Sequence, residues 1–332
     1  MKILTVHLVF ALLAVLAAAR ASDTMQKDDR AWIFTSADSL AIEDDSVRYG
    51  YESVQGVKLF FREAGNPENP TIVMLHGFPS SSHQYRQLLD RLGSDFHVIA
   101  PDYPGFGASD FPSPSEYRYT FDQFSATIAQ FLEQRGIDEY ALLMHDYGGP
   151  VGFRIAQRSP DKVTALLIQN ANIYESGINP KTWEPIASLW AQGRGNAELE
   201  SAIIDAVFSR NGLQWQYTHG TRAPTDILPD NWLLDYERIS RPGQHDVQLD
   251  LFYDYRTNLK RYPEWQAYLR EHQPAVLVTW GARDAFFPVD GAWAYRDDVK
   301  DAEIHILDTG HFVLEEDSAV VARLIRDFMN RL

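Results

Sequence analysis

The chain has 332 residues, carries 30 basic against 46 acidic side chains for a formal charge of −16, and contains no cysteine. The missing cysteine excludes disulfides, thiolate zinc sites and a cysteine nucleophile, and the negative charge opposes binding to nucleic acid or an anionic membrane. The first residues read as a targeting segment: Lys2 gives a positive start, Ile3 to Ala19 is almost wholly apolar, and Ala19-Arg20-Ala21 has small residues at the spacing a signal peptidase reads. An apolar run of about 17 residues is at the low end for a spanning helix, so cleavage after Ala21 and a secreted or periplasmic protein are expected, with no stable membrane anchor. Without Lys2 and Arg20 the balance is 28 basic to 46 acidic side chains, which suits a soluble protein with an uncharged or cationic ligand.

Residues 22–48 are polar and acidic and read as an exposed leader. Tyr49–Val54 and Val57–Ala64, joined by Gln55-Gly56, predict a hairpin, and Asn66-Pro67-Glu68-Asn69-Pro70 a turn. Thr71–Leu75 is a continuous apolar run suited to a strand buried on both faces; it leads into His76-Gly77-Phe78-Pro79 and then a segment, Ser80 to Leu92, with helical spacing of Tyr85, Leu88, Leu89 and Leu92. The next strand, Phe96–Ala100, ends in a turn-rich loop from Asp102 to Ser109; an amphipathic helix is expected over Phe121–Arg135, a strand over Tyr140–His145, a helix over Pro150–Gln157 and a strand over Val163–Gln169. This alternation predicts a mostly parallel α/β sheet flanked by helices. It breaks near Asn172. From there to Pro263 the chain lacks strand signals and is rich in Trp, Tyr and helix formers, so residues 172–263 read as a helical insertion between two halves of one core, 49–171 and 264–332. Alternation then returns with a strand at Ala275–Trp280, a helix at Gly291–Val299, a strand at Glu303–Leu307 and a closing helix at Ser318–Met329.

Three polar residues fall just past expected strand ends. Asp146 follows Tyr140–His145 and precedes Tyr147-Gly148-Gly149; Asp284 lies in Trp280-Gly281-Ala282-Arg283-Asp284; His311 lies in Asp308-Thr309-Gly310-His311-Phe312. The carboxyl ends of strands are where open parallel sheets bind ligands. Asp146 alone has two readings: a cap for the following helix, or the apex of a sharp strand-to-helix turn that lifts a nucleophile out of the sheet. The order carboxylate, acid, histidine supports the second.

With these motifs, and with His76-Gly77-Phe78-Pro79 and Asp102-x-Pro-Gly-Phe-Gly-x-Ser109, the chain from about Tyr49 to Leu332 resembles the α/β-hydrolase superfamily with a helical cap, and within it the aspartate-nucleophile branch of epoxide hydrolases and haloalkane dehalogenases. No G-x-S-x-G is present, which disfavours a serine esterase. The resemblance implies that Asp146, ionised at neutral pH with an ordinary pKa near 3.9, attacks a saturated carbon to give an alkyl ester. His311, held by Asp284, then activates the water that hydrolyses it. Backbone N–H groups of Phe78 and Tyr147 are the implied oxyanion hole. No metal or organic cofactor is implied; the expected partners are a small, largely apolar substrate and water.

Such epoxide hydrolases protonate the departing oxygen with cap tyrosines. Tyr255, in Phe252-Tyr253-Asp254-Tyr255-Arg256-Thr257-Asn258, matches one of them; Tyr174, Tyr217 and Tyr236 are all candidates for the second. Tyr147 stands where both branches often carry Trp, and dehalogenases usually have Asn or Glu at the place of Phe78. Epoxide hydrolysis is therefore the leading expectation, carbon–halogen hydrolysis the alternative, and a ligand-binding protein without turnover the alternative of another class. Met144, two residues before Asp146 where a small residue is usual, is expected to open the turn slightly.

Overall fold

A computed structural model describes residues 47–332, so the targeting segment and nearly all of the leader lie outside the described residues. Eight strands form one sheet: β1 (Arg48–Val54), β2 (Val57–Ala64), β3 (Thr71–Leu75), β4 (His97–Pro101), β5 (Tyr140–His145), β6 (Val163–Gln169), β7 (Ala275–Gly281) and β8 (Glu303–Leu307), in the order β1-β2-β4-β3-β5-β6-β7-β8. The hairpin β1–β2 is antiparallel and β2 pairs antiparallel with β4; every other pair is parallel. The expected hairpin turns at Gln55 and Gly56, both at positive φ, as a two-residue loop requires.

β5 shows why the central strands read as unbroken apolar runs. All its side chains are buried, with Leu142 and Met144 in the core on one face and Ala141 and Leu143 in the core on the other. The second face is covered by α1 (Arg86–Leu92) and the closing helix, and the first by α2 (Phe121–Gln134) and α3 (Gly148–Arg158). The segment expected to be helical from Ser80 begins instead with a tight turn at Ser82–Tyr85, because the Ser82 N–H donates to Asp102 at 2.7 Å and ties that end to the β4 loop. Helix α3 starts two residues earlier than expected, with Pro150 in its first turn, where a missing N–H forfeits no helical bond.

Between β6 and β7 the chain is helical: α4 (Glu184–Gln192), α5 (Ala197–Ile203), a wide turn at Ile204–Phe208, α6 (Arg210–Thr218), α7 (Asp230–Ile239), α8 (Gln244–Asp254) and α9 (Arg256–His272). Helix α9 continues across Pro263, past the point where the sequence reading ends the insertion. The last helices are α10 (Asp290–Asp298) and α11 (Leu314–Met329). Among the described residues no helix is long and apolar enough to cross a membrane, and no cluster of His, Asp and Glu could hold a metal ion.

Candidate active site

The turn after β5 places Asp146 at φ 47°, a left-handed conformation rare for a side chain other than Gly or Asn. Gly148, two residues on, lies so close to the Leu75 carbonyl that no Cβ fits there. Helix and strand thus meet with Asp146 at the apex. The Met144 side chain does not open the turn. It is fully buried, strand register continues regularly through Met144–Ile168 and His145–Gln169, and its sulfur occupies the space beside Gly152, one turn into α3. The expected opening is thereby corrected: the bulk is absorbed by the helix.

The three strand-end residues converge. His311 Nδ1 donates to Asp284 Oδ2 at 2.8 Å, and both residues are buried. Asp284 also accepts from Asn170 Nδ2 at 2.6 Å and, through Oδ1, from the backbone N–H groups of Phe286 and Phe287 at 2.7 and 3.1 Å. Its two oxygens thus accept four hydrogen bonds and fix the ring through Nδ1, which leaves Nε2 of His311 outside that network. His311 and Asp146 line one pocket. The Phe78 N–H donates to Asp146 Oδ2 at 2.7 Å, and the Tyr147 N–H also supports the carboxylate. Both implied oxyanion donors therefore meet the Asp146 carboxylate.

Burial pushes the Asp146 carboxyl up to about 6, against the pull of His311 and the two N–H groups. That is well above the ordinary value assumed from sequence, though it still leaves the group mostly ionised at neutral pH. For His311, burial opposes the charged form but is outweighed by the Asp284 and Asp146 carboxylates, so its pKa is raised.

Tyr255 lies where α8 meets α9 and faces the same pocket; it is 1% exposed and its hydroxyl has no hydrogen-bond partner among the described residues. The nearby Tyr262 hydroxyl acts on its ionisation without meeting it in hydrogen-bond geometry. None of the three other cap candidates reaches the pocket. Tyr174 donates to Asp298 at 2.7 Å, Tyr217 donates to Asp235 at 2.6 Å with its ring stacked on Phe312, and Tyr236 is exposed. The cap indoles are also committed: Trp183 Nε1 donates to the Phe286 carbonyl and Trp190 Nε1 to that of Phe252. The remaining pocket wall is mostly apolar, with Phe78, Ile186, Val207, Phe252 and Phe287.

Sequence reasoning missed Asn170. Fully buried just past β6 at φ 43°, it binds Asp284 through Nδ2, accepts from the Gly281 N–H through Oδ1 at 3.2 Å and accepts from the Asp146 N–H through its carbonyl at 3.3 Å. One residue thus joins the Asp146 turn, the end of β7 and Asp284. Its only signal in the sequence is an amide at the end of an apolar strand.

A family model described as the alpha/beta hydrolase fold matches residues 70–318. An uncharacterized hydrolase of Saccharomyces cerevisiae is 41% identical over 270 residues, covering 81% of this chain and 92% of that protein. A cis-3-alkyl-4-alkyloxetan-2-one decarboxylase of Shewanella oneidensis is 28% identical over 296 residues, 83% of this chain and 86% of its own length. Among solved structures, the epoxide hydrolase CorEH superposes with a TM-score of 0.70 over 86% of this chain and 99% of that one, at 20% identity, a likeness of fold alone.

Proposed function

The chain belongs to the α/β-hydrolase family, and we propose that within this family of hydrolases it opens epoxides to diols through an ester on Asp146. The observation that carries the reading is Tyr255: it lines the pocket that holds Asp146, and its buried hydroxyl has no hydrogen-bond partner among the described residues. A free buried hydroxyl is costly to leave unpaired, and an alkoxide leaving group needs a donor in that position. A halide needs none, and the indole N–H groups that would hold one are absent at Tyr147 and bound to carbonyls at Trp183 and Trp190.

The geometry supports the following sequence. An apolar epoxide enters between the sheet and the helical insertion, which serves as a cap. Asp146 attacks a ring carbon; the C–O bond breaks, and the electron pair goes to the ring oxygen, which takes the Tyr255 proton. The charge of Asp146 helps to raise the Tyr255 pKa, and esterification removes that charge. The phenol therefore becomes a stronger acid as the alkoxide forms. The same loss lowers the His311 pKa, so the ring is neutral and open to a proton from water in the second step. Water then gives a proton to His311 and attacks the Asp146 carboxyl carbon, with the oxyanion held by the Phe78 and Tyr147 N–H groups. On collapse the diol oxygen takes the proton from His311, and the new Asp146 acid returns its proton to Tyr255.

The test is an adduct. His311→Gln protein mixed with an aryl epoxide should gain the epoxide's mass on the peptide containing Asp146, whereas Asp146→Asn protein should gain nothing. Binding of the epoxide by wild-type protein without diol release would favour a non-catalytic binding protein. An oxetan-2-one belongs in the substrate panel, since a four-membered lactone is another strained carbon–oxygen electrophile. We also propose that the protein is exported and begins at Ser22, on the Lys2, apolar run and Ala19-Arg20-Ala21 series; N-terminal sequencing of exported material checks this.

A further inference from the structure

An epoxide oxygen has two lone pairs and accepts two hydrogen bonds as it gains charge, so a site built around one phenol is incomplete. The cap tyrosines that sequence offers for the second place are all turned elsewhere. The pocket nevertheless contains a second free phenol. Tyr147, directly after the nucleophile, is 3% exposed, lines the pocket with Asp146 and Tyr255, and has a hydroxyl without a partner among the described residues. Its ring centroid is 6.1 Å from that of Tyr255, and the edge of Phe121 packs against both rings, at 4.8 and 5.6 Å. Tyr262 also has a free buried hydroxyl, but it does not line the pocket.

We propose that the Tyr147 hydroxyl is the second donor to the departing epoxide oxygen, so that one residue serves the reaction twice: its N–H on the Asp146 carboxyl, its phenol on the leaving group. This rests on the epoxide reading above. Tyr255 gives the proton and Tyr147 gives a hydrogen bond to the same oxygen, so the proton count of the cycle is unchanged. The Asp146 charge raises the pKa of both phenols after burial has done so, and both are relieved of it by ester formation. A Trp in this position carries its N–H closer to the backbone, which suits a halide beside the nucleophile; a phenol carries its donor farther out.

Alkylation rates in the His311→Gln background, read by mass as Asp146 adduct against time, test the assignment. Two epoxides are compared: propylene oxide and 3,3,3-trifluoropropylene oxide, whose alkoxide is far less basic. Adding Tyr147→Phe should slow the first by at least tenfold and the second by clearly less, because a good leaving group needs less help. Tyr147→Trp should recover part of the loss. An equal loss on both substrates, with a lowered melting temperature, assigns Tyr147 a packing role and overturns the proposal; unchanged rates on both also overturn it. If the His311→Gln parent forms no Asp146 adduct with either epoxide, the epoxide reading itself fails, which the parent alone reveals.

Discussion

Met144 occupies the space that Gly152 leaves open. A Cβ on residue 152 would collide with the Met144 sulfur and Cγ, so the large residue two places before Asp146 and the missing side chain one turn into α3 form a complementary pair. The strand can thus carry a bulky residue just below Asp146 while keeping its register.

Gly152→Ala should therefore destabilise the protein although Ala is the better helix former by about 1 kcal/mol. Overpacking a rigid core costs about 1–3 kcal/mol, and here it would also shift Asp146. In a Met144→Ala background the same change should be neutral or stabilising. Denaturant midpoints of the four proteins give the coupling; additive effects would separate the two residues.

Tyr255→Phe should lower kcat/KM for epoxides by at least tenfold, about 1.4 kcal/mol of barrier, without loss of stability, since its hydroxyl has no hydrogen-bond partner among the described residues to strand. Steady-state turnover with near-wild-type values would remove Tyr255 from the mechanism.

The ester-forming step should titrate with Asp146. Its carboxyl, pushed up to about 6 by burial, must be ionised to attack, so the single-turnover rate should be flat above that pH and fall tenfold per unit below it. His311 pulls this pKa down, so in the His311→Gln protein the limb should move to higher pH. A limb near 4 in both proteins would contradict the desolvated carboxylate.

Asp235 gives a stability prediction away from the chemistry. Buried and accepting from Tyr217, it is pushed from 3.8 up to about 7 chiefly by burial. The folded state then holds a proton that the unfolded state releases between these values, so stability falls as pH rises from about 4 to 7 and stays lower above. Asp235→Asn keeps an acceptor for Tyr217 without the charge. Its gain over wild type should be largest at pH 8, on the order of a few kcal/mol, and should shrink toward pH 4. Urea midpoints that run parallel across this range would rule the effect out.

The epoxide reading joins parts of unequal legibility. The strand-helix alternation, the parallel sheet and the convergence of Asp146, Asp284 and His311 were legible in the sequence because their signals are local: apolar runs of strand length, turn residues behind them, and one polar side chain at each strand end. Asn170 was not legible, because an amide after a strand has many uses until Asp284 and Asp146 are folded around it.

The cap shows the same division more sharply. By itself the sequence determined that residues beyond Asn172 are helical and aromatic, and that Tyr255 follows a recognisable pattern. Only the tertiary structure decided which hydroxyls are free. Tyr174 and Tyr217 are spent on carboxylates at positions 298 and 235, whereas the Tyr147 and Tyr255 hydroxyls have no hydrogen-bond partner among the described residues, and burial in the fold raises the Asp146 carboxyl to about 6. Helix and strand follow from side-chain pattern along a few neighbouring residues; hydrogen-bond satisfaction and desolvation depend on which distant residues arrive, and the packing of cap against sheet decides that.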